Sequence, residues 1–315
     1  MKQNPNEIIE RYRSYLTDLD RSPATVRVRM DDLTAFAHWF EQTTGRAFDP
    51  VAVTPPDVRD YRAFLQTVRN LKPNSVNRAL SSLSVFFTWA QDEGIAATNP
   101  CKRVHPVAKQ PHPPRWLDRR EQGALRRALA EAVQLAELRA RLLGHTPTSI
   151  RTIRDQAMFA FMLEAGLRVA EVCNLRLDDV VLGERSGHVI VRSGKRGKYR
   201  EVPLNSSARQ AVRAWLEVRP AADTDVLFVN RDLNPLRPRG VQRRVAYYAQ
   251  RAGLEDLTPH VLRHTFAKNL VDRGRPLTEV AMLLGHSRLN TTAVYTQPGQ
   301  ADLRQAVEAV DWDEE

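Results

Sequence analysis

Near the C-terminus the chain carries side chains suited to phosphate transfer. His260 and Arg263 are three positions apart in a helical pattern, so one helix face presents both. His286 follows a Leu-Leu-Gly turn, and Tyr295 lies nine residues further on. These residue types suggest a phosphate clamp with a phenol nucleophile beside it.

A phenol attacks phosphorus at neutral pH only with help, because its pKa is about 10. An arginine fork matches phosphate geometry, a lysine can protonate a leaving oxygen, and histidines can accept a proton or hydrogen-bond the phosphate. The chain offers Arg168 where one helix stops and another begins, and Lys195 in a basic turn. Each of these residues alone also fits an ordinary structural role. No cluster has metal-ligand spacing, so we expect no metal and no cofactor.

The balance of charges favours an acidic polymer as the partner. The 315 residues have a net charge of +10 and an apolar content of 42%, enough for two domains with their own cores. DNA is the natural polymer of this kind, although a merely basic surface remains the alternative. Cys101 and Cys173 are too few for a disulfide framework, and no segment resembles a signal peptide or a membrane span, so we expect a cytoplasmic protein.

Three regions must position these residues. Residues 6–94 show four amphipathic helical repeats with apolar residues every three or four positions. A proline-rich, basic stretch follows and is predicted to be extended. We therefore predict a helical DNA-binding domain at 1–98, a linker at 99–115 and a second domain with a C-terminal tail at 116–315.

The second domain is predicted to be mostly α-helical with a small β-sheet. Helices are expected at 118–143 and 150–165, the second of them ending at Gly166. Strands at 188–191 and 200–204 flank the basic turn 193–198 and form a hairpin. The sequence indicates no function for the stretch 131–150.

Five motifs, in order, resemble those of the tyrosine recombinases, the phage integrase family that includes the Xer-type enzymes. They are Gly-Leu-Arg-Val-Ala-Glu-Val at 166–172, the hairpin lysine run at 194–204, His-x-x-Arg at 260–263, Leu-Leu-Gly-His at 283–286 and Tyr-Thr at 295–296. The resemblance covers essentially the whole chain. It implies a mainly α fold in which a four-helix core-binding, SAM-like domain and a catalytic domain form a C-shaped clamp on DNA.

The resemblance also implies a role for each residue. Tyr295 would form a 3′-phosphotyrosyl link, with Arg168 and Arg263 clamping the phosphate. Lys195 would be the general acid, His260 the general base and His286 a phosphate hydrogen-bond donor. Glu171 would orient the site, and ligation would need no ATP.

The implied partner is double-stranded DNA with inverted-repeat core sites, bound by a tetramer on two sites. The tail at 301–315 would dock on a neighbouring protomer, or else pack on its own domain. Because the helical module starts close to Met1, we expect no separate arm-binding domain.

Four further basic residues are candidates for DNA backbone contacts: Lys198, Arg200, Arg243 and Arg244. Solvation of the hairpin and an exposed, salt-bridged helix face are the alternatives for these residues. Two other functions remain open at this point: type IB topoisomerase-like relaxation of DNA, and catalytically silent, sequence-specific DNA binding.

Overall fold

The computed structural model describes residues 5–19, 21–108, 115–143, 147–192, 199–286, 292–296 and 307. The chain divides into two compact units, Met1–Pro111 and His112–Glu315. Within the described part of the chain, none of the helices combines the length and apolar character needed to cross a bilayer.

The first unit is built from four helices: α1 Pro5–Asp18, α2 Pro23–Thr44, α3 Pro55–Thr67 and α4 Pro73–Asp92. Each of the four has a proline in its first turn. Ser22 caps α2 by accepting a hydrogen bond from the Thr25 amide, and Gly45 ends it in a left-handed conformation. The apolar stripes meet in an aromatic core around Phe36, whose ring packs edge-on against Tyr61.

The predicted linker differs from the structure in its first part. Pro100–Arg103 forms a 3₁₀ turn, and Cys101 within it is 8% exposed and belongs to the core of the first unit. Asn99 fixes the turn, since its side chain accepts from the Cys101 amide and donates to the Ser84 carbonyl. Proline excludes an interior α-helical position but is compatible with the first position of a short 3₁₀ turn. Residues 109–114 are outside the described ranges, so the end of the linker stays a prediction.

The second unit is mainly helical around a central helix. Its helices are α5 Arg119–Leu143, α6 Pro147–Leu163, α7 Val169–Asn174, α8 Ser206–Val218, α9 Pro238–Arg251, α10 Pro259–Val271 and α11 Leu277–Leu284. Helix α6 packs against α5, α8 and α10. Within the unassigned stretch 131–150, residues 131–143 form the end of α5 and residues 147–150 the start of α6.

A three-stranded antiparallel sheet completes this unit. Its strands are β1 Val180–Leu182, β2 Gly187–Arg192 and β3 Tyr199–Pro203, in the order β1-β2-β3. Strands β2 and β3 are the predicted hairpin pair, and Val189 on β2 lies opposite Val202 on β3, both buried. Val191 lies opposite Arg200, which therefore points to the buried face of the sheet.

Candidate active site

Arg168 is placed by the end of one helix and the start of the next. After α6, Gly166 adopts a φ of +66°, and the Leu167 amide donates back to the Phe161 carbonyl at 2.9 Å. Arg168 then precedes the first residue of α7 and is held by Glu171, whose carboxylate accepts from the Arg168 backbone amide and from Nη1, each at 2.8 Å. The Arg168 side chain stays partly exposed.

Arg263 lies almost entirely inside the protein. Thr258 caps helix α10 with a hydroxyl that accepts from the Val261 amide, and Arg263 in the second turn of the helix is 3% exposed. Its Nη1 donates to the Gly166 carbonyl at 2.5 Å and its Nη2 to the Leu284 carbonyl at 2.6 Å. Burial and the nearby Arg168 lower the pKa of Arg263 to about 10, which leaves it charged at neutral pH.

Glu171 joins the arginines into one cluster. Its two oxygens accept from Arg200 at 3.0 and 2.9 Å, and Oε2 lies 3.9 Å from Nη1 of Arg263. Burial alone would raise the pKa of this carboxyl. The hydrogen bonds from Arg200 and Arg168 outweigh burial and lower the Glu171 pKa to about 2.

Tyr295 is buried beside the second histidine of the His-x-x-Arg-His run. It lies in a 3₁₀ turn, Ala293–Thr296, and is 2% exposed. Its hydroxyl shares a hydrogen bond of 2.7 Å with Nδ1 of His264, and His260 is exposed and stacks its ring on His264. Burial raises the pKa of Tyr295, with Arg263 and Arg168 opposing that effect, while burial lowers the pKa of His264. The family resemblance implies His260 as the general base, whereas the residue in contact with the phenol here is His264.

His286 lies just beyond the left-handed Gly285 that ends α11. Its Nδ1 shares a hydrogen bond of 3.0 Å with the hydroxyl of Thr292, which is buried. Burial, followed by the charges of Arg263, Arg168 and Arg200, lowers the pKa of His286 to about 4. A neutral ring that is bonded through Nδ1 leaves its second nitrogen for a ligand.

Two predicted DNA contacts are engaged inside the protein. Arg200 donates to Glu171, and Arg244 forms an ion pair of 2.6 Å with Asp155, which is fully buried. Each guanidinium is held by an internal carboxylate, with 15% of the Arg200 side chain and 31% of the Arg244 side chain exposed, and contact of these two residues with DNA stays a prediction. Arg243 is exposed. Lys195 and Lys198 lie outside the described residues.

The periodicity of the sequence already indicated that Arg200 and Arg244 lie on the inward faces of their elements. Arg200 lies two positions before the buried Val202 on β3, so both side chains are on the same face of the strand. Arg244 completes an i, i+3, i+4, i+7 stripe with Val241, Val245 and Tyr248, and those three are buried. Thr292, the partner of His286, carried no such sign.

Two arginines with a shared carboxylate, a neutral histidine and a buried phenol form one cluster in the second unit. Arg168 is its partly exposed cation, so a phosphate oxygen can reach the cluster there. The phenol of Tyr295 and the ring of His264 are in direct contact, and these are residue types that can act as a nucleophile and a proton acceptor. This arrangement suits attack of an oxygen on a phosphodiester.

The sequence matches two family descriptions. Residues 135–301 match the phage integrase family, and residues 8–96 match the phage integrase N-terminal SAM-like domain. The first match alone spans more than half of the chain.

Named proteins align over most of their length. The chain is 32% identical to the tyrosine recombinase XerA of Thermococcus kodakarensis, over 96% of this chain and 95% of that protein. It is 33% identical to the tyrosine recombinase XerC of Alcanivorax borkumensis, over 78% of this chain and 75% of that protein. The crystal structure of XerH site-specific recombinase bound to palindromic difH substrate shares the fold, with a TM-score of 0.72, 21% identity and coverage of 92% and 80%. The chain thus belongs to the phage integrase family and is a Xer-like tyrosine recombinase with an N-terminal SAM-like domain.

Proposed function

We propose that this recombinase cuts and rejoins DNA with Tyr295 as the nucleophile, acting at specific core sites. The phenol oxygen bonds to phosphorus, the bond to the 5′-oxygen breaks, and a 3′-phosphotyrosyl link remains. A free 5′-hydroxyl from another strand then reverses the step, so strand exchange passes through a Holliday junction. One phosphoester replaces another, and for that reason no ATP is consumed.

The proposal is supported by the closeness of two arginines and the phenol in the second unit. Arg168 and Arg263 meet at Glu171, and the phenol of Tyr295 lies close enough for both charges to oppose the rise in its pKa that burial causes. In this proposal the two arginines bind the non-bridging phosphate oxygens, and Glu171 orients them. Neutral His286 donates a hydrogen bond to the phosphate through its second ring nitrogen.

Two proton transfers complete the step. Lys195 would protonate the leaving 5′-oxygen, and His260 would accept the phenol proton, as in the family the chain resembles. The structure holds the phenol on His264 instead, at 2.7 Å. Because Tyr295 is 2% exposed, a duplex phosphate meets it only after the 3₁₀ turn has moved. In that movement the phenol passes from His264 to His260, whose ring is stacked on His264.

DNA with inverted-repeat core sites is the proposed partner. The XerH structure was solved on palindromic difH substrate, and the net charge of +10 suits a polyanion. We assign residues 1–98 and 116–315 to two DNA-binding domains, with Lys198 and Arg243 contacting the DNA backbone. The cytoplasm is the proposed compartment of this activity.

Assembly is the second part of this proposal. Four protomers would hold two sites, and the tail at 301–315 would dock on a neighbouring protomer. Deleting 301–315 should then abolish cooperative binding of protomers to a site with two half-sites. Unchanged cooperativity would remove the docking role of the tail. The relatives named as tyrosine recombinases favour strand exchange over simple relaxation of DNA and over silent binding.

The decisive experiment traps the covalent intermediate. Duplexes from the DNA flanking the gene are first selected for binding by gel shift, then nicked near the expected cleavage point so that the 5′-hydroxyl product diffuses away. The wild type should give a slowly migrating adduct on a denaturing gel, and Tyr295→Phe should give none. Tyr247→Phe is the matched control, because Tyr247 lies exposed on α9 and should leave the adduct intact. An adduct that survives in Tyr295→Phe, or its absence from the wild type on tightly bound duplexes, would refute the proposal.

A further inference from the structure

Arg200 occupies a junction between three parts of the second unit. It stands on β3 and contacts Glu171 of α7 and the backbone of Leu283 in α11. We propose that Arg200 is a positioning residue, which locks β3 and the segment leading to His286 onto Glu171 and thereby sets Arg168 for the phosphate. This inference rests on the proposed function of the site.

The contacts of Arg200 use both edges of its guanidinium. Nη1 and Nη2 donate to the two oxygens of Glu171 at 3.0 and 2.9 Å, a two-point pairing that fixes the relative orientation of both groups. Nε donates to the Leu283 carbonyl at 2.9 Å. Arg200 and Glu171 each keep only 15% of the side chain exposed. Arg200 therefore braces the protein interior.

Charge explains why a cation is needed at this position. Three guanidiniums face Glu171: Arg168 from the start of α7, Arg200 from β3 and Arg263 from α10. Burial opposes the ionised carboxylate, and the hydrogen bond from Arg200 is the largest of the effects that keep it ionised. Without Arg200, Glu171 takes up a proton more easily and its hold on Arg168 weakens.

Gly285 gives independent evidence for the lock. A Cβ at this residue would lie 2.9 Å from Nη1 of Arg200 and 3.1 Å from its Cζ, closer than side-chain carbons pack. Gly285 also has a φ of +64°, which favours glycine. The guanidinium thus lies flat against the backbone directly before His286. A shift of Arg200 moves this segment as well as Glu171.

The same strand leads into the basic turn of the hairpin. Lys195 lies five positions before Arg200 in the sequence, and β3 begins at Tyr199. Arg200 therefore fixes to Glu171 the strand that directly follows the stretch with the proposed general acid. Arg200 would thereby fix the phosphate clamp, His286 and the strand that follows Lys195 in position relative to one another.

The test compares Arg200→Ala and Arg200→Lys with Arg192→Ala. Arg192 is a matched control because it lies on β2 of the same hairpin and also pairs with a buried carboxylate, that of Asp179 at 2.6 Å. The rate of adduct formation is measured on the trapping duplex, at saturating protein, between pH 4.5 and 8. DNA affinity is measured in parallel by gel shift.

Arg200→Ala should lower the rate about 10- to 100-fold with DNA affinity nearly unchanged. A carboxylate whose pKa is depressed acts above that pKa and fails as the pH falls through it. Because the variant raises the Glu171 pKa from about 2 toward the measured range, its rate should fall more steeply than that of the wild type as the pH decreases to 4.5. Added methylguanidinium should restore part of the rate by filling the vacated position. Arg192→Ala should keep the wild-type pH profile and show no rescue.

Two results would overturn the inference. One is weaker DNA binding by Arg200→Ala with an unchanged rate and pH profile for the bound complex, which would make Arg200 a backbone contact. The other is a normal rate for Arg200→Lys, since lysine keeps the charge but not the two-point pairing; this variant also decides the matter if Arg200→Ala does not fold. Failure of the proposed function is distinguishable, because then the wild type forms no Tyr295-dependent adduct.

Discussion

The hydroxyl of Tyr295 and Nδ1 of His264 are 2.7 Å apart, and both rings are largely withdrawn from solvent. The two residues come from different elements, the 3₁₀ turn Ala293–Thr296 and helix α10. Their hydrogen bond ties the proposed nucleophile to the helix that carries Arg263.

This bond should appear as a coupling free energy in the protein without DNA. A double-mutant cycle with Tyr295→Phe and His264→Ala, measured by urea unfolding, should give about 1 kcal/mol, the usual net value of such a bond. Tyr295→Phe combined with His188→Ala is the control, because His188 lies on β2 near Glu201 and the two changes should add. A coupling near zero for the first pair would mean that the contact is absent in solution.

His286 should titrate far below an ordinary histidine. Burial and the three nearby arginines lower its pKa to about 4, so the folded state disfavours the charged ring. Its contribution to stability is complete above the unfolded pKa, about 6.5, and is lost as the pH falls toward 4. An NMR titration, assigned with His286→Gln, should give a midpoint near 4. A midpoint near 6.5 would contradict the neutral donor that the proposed mechanism uses.

Gly166 should tolerate a side chain less well than another glycine of equal conformation. Gly166 and Gly253 have φ values of +66° and +65°, but an added Cβ at Gly166 would overlap the Phe266 ring, whereas nothing lies within 4 Å of one at Gly253. Gly253→Ala should cost about 1 kcal/mol of unfolding free energy from backbone strain. Gly166→Ala should cost a further 1–3 kcal/mol, roughly, from overpacking. Equal losses in urea unfolding would show that the Phe266 ring moves aside freely.

Arg243 and Arg244 are adjacent, yet replacing the first should change DNA binding and replacing the second should change the free energy of unfolding. Arg243 is exposed, so Arg243→Ala should weaken DNA binding and reduce the salt dependence by about one counterion, with unfolding unchanged. Arg244→Ala leaves the buried Asp155 with Arg154 as its remaining ion-pair partner among the described residues. The free energy of unfolding should fall by on the order of 3 kcal/mol. Gel shifts over a salt series, together with urea unfolding, check both; a stable Arg244→Ala protein with weakened DNA binding would return Arg244 to the DNA surface.

Local sequence patterns predicted most of the elements. The caps of α2 and α3, the prolines in the first turns of α2, α3 and α4 and the glycine after α6 act within one or two turns of chain, so no distant contact is needed to place them. Strand β1, Val180–Leu182, was missed because three residues are too few to show an alternation. The turn at Pro100–Arg103 was missed because its fold depends on packing of Cys101 into the first unit.

The sequence by itself determined the residue types, their order and the faces on which α10 and β3 present them, because these follow from short-range periodicity. Tertiary structure decided which residues meet. Glu171 gathers arginines from α7, β3 and α10, and Tyr295 takes His264 as its partner although His260 is only four positions away. These pairings depend on how helix ends and strands pack over long sequence distances, because a buried charged group without a partner is costly in free energy. They also set the pKa values of Glu171 and His286, since burial and neighbouring charges exist only in the folded chain.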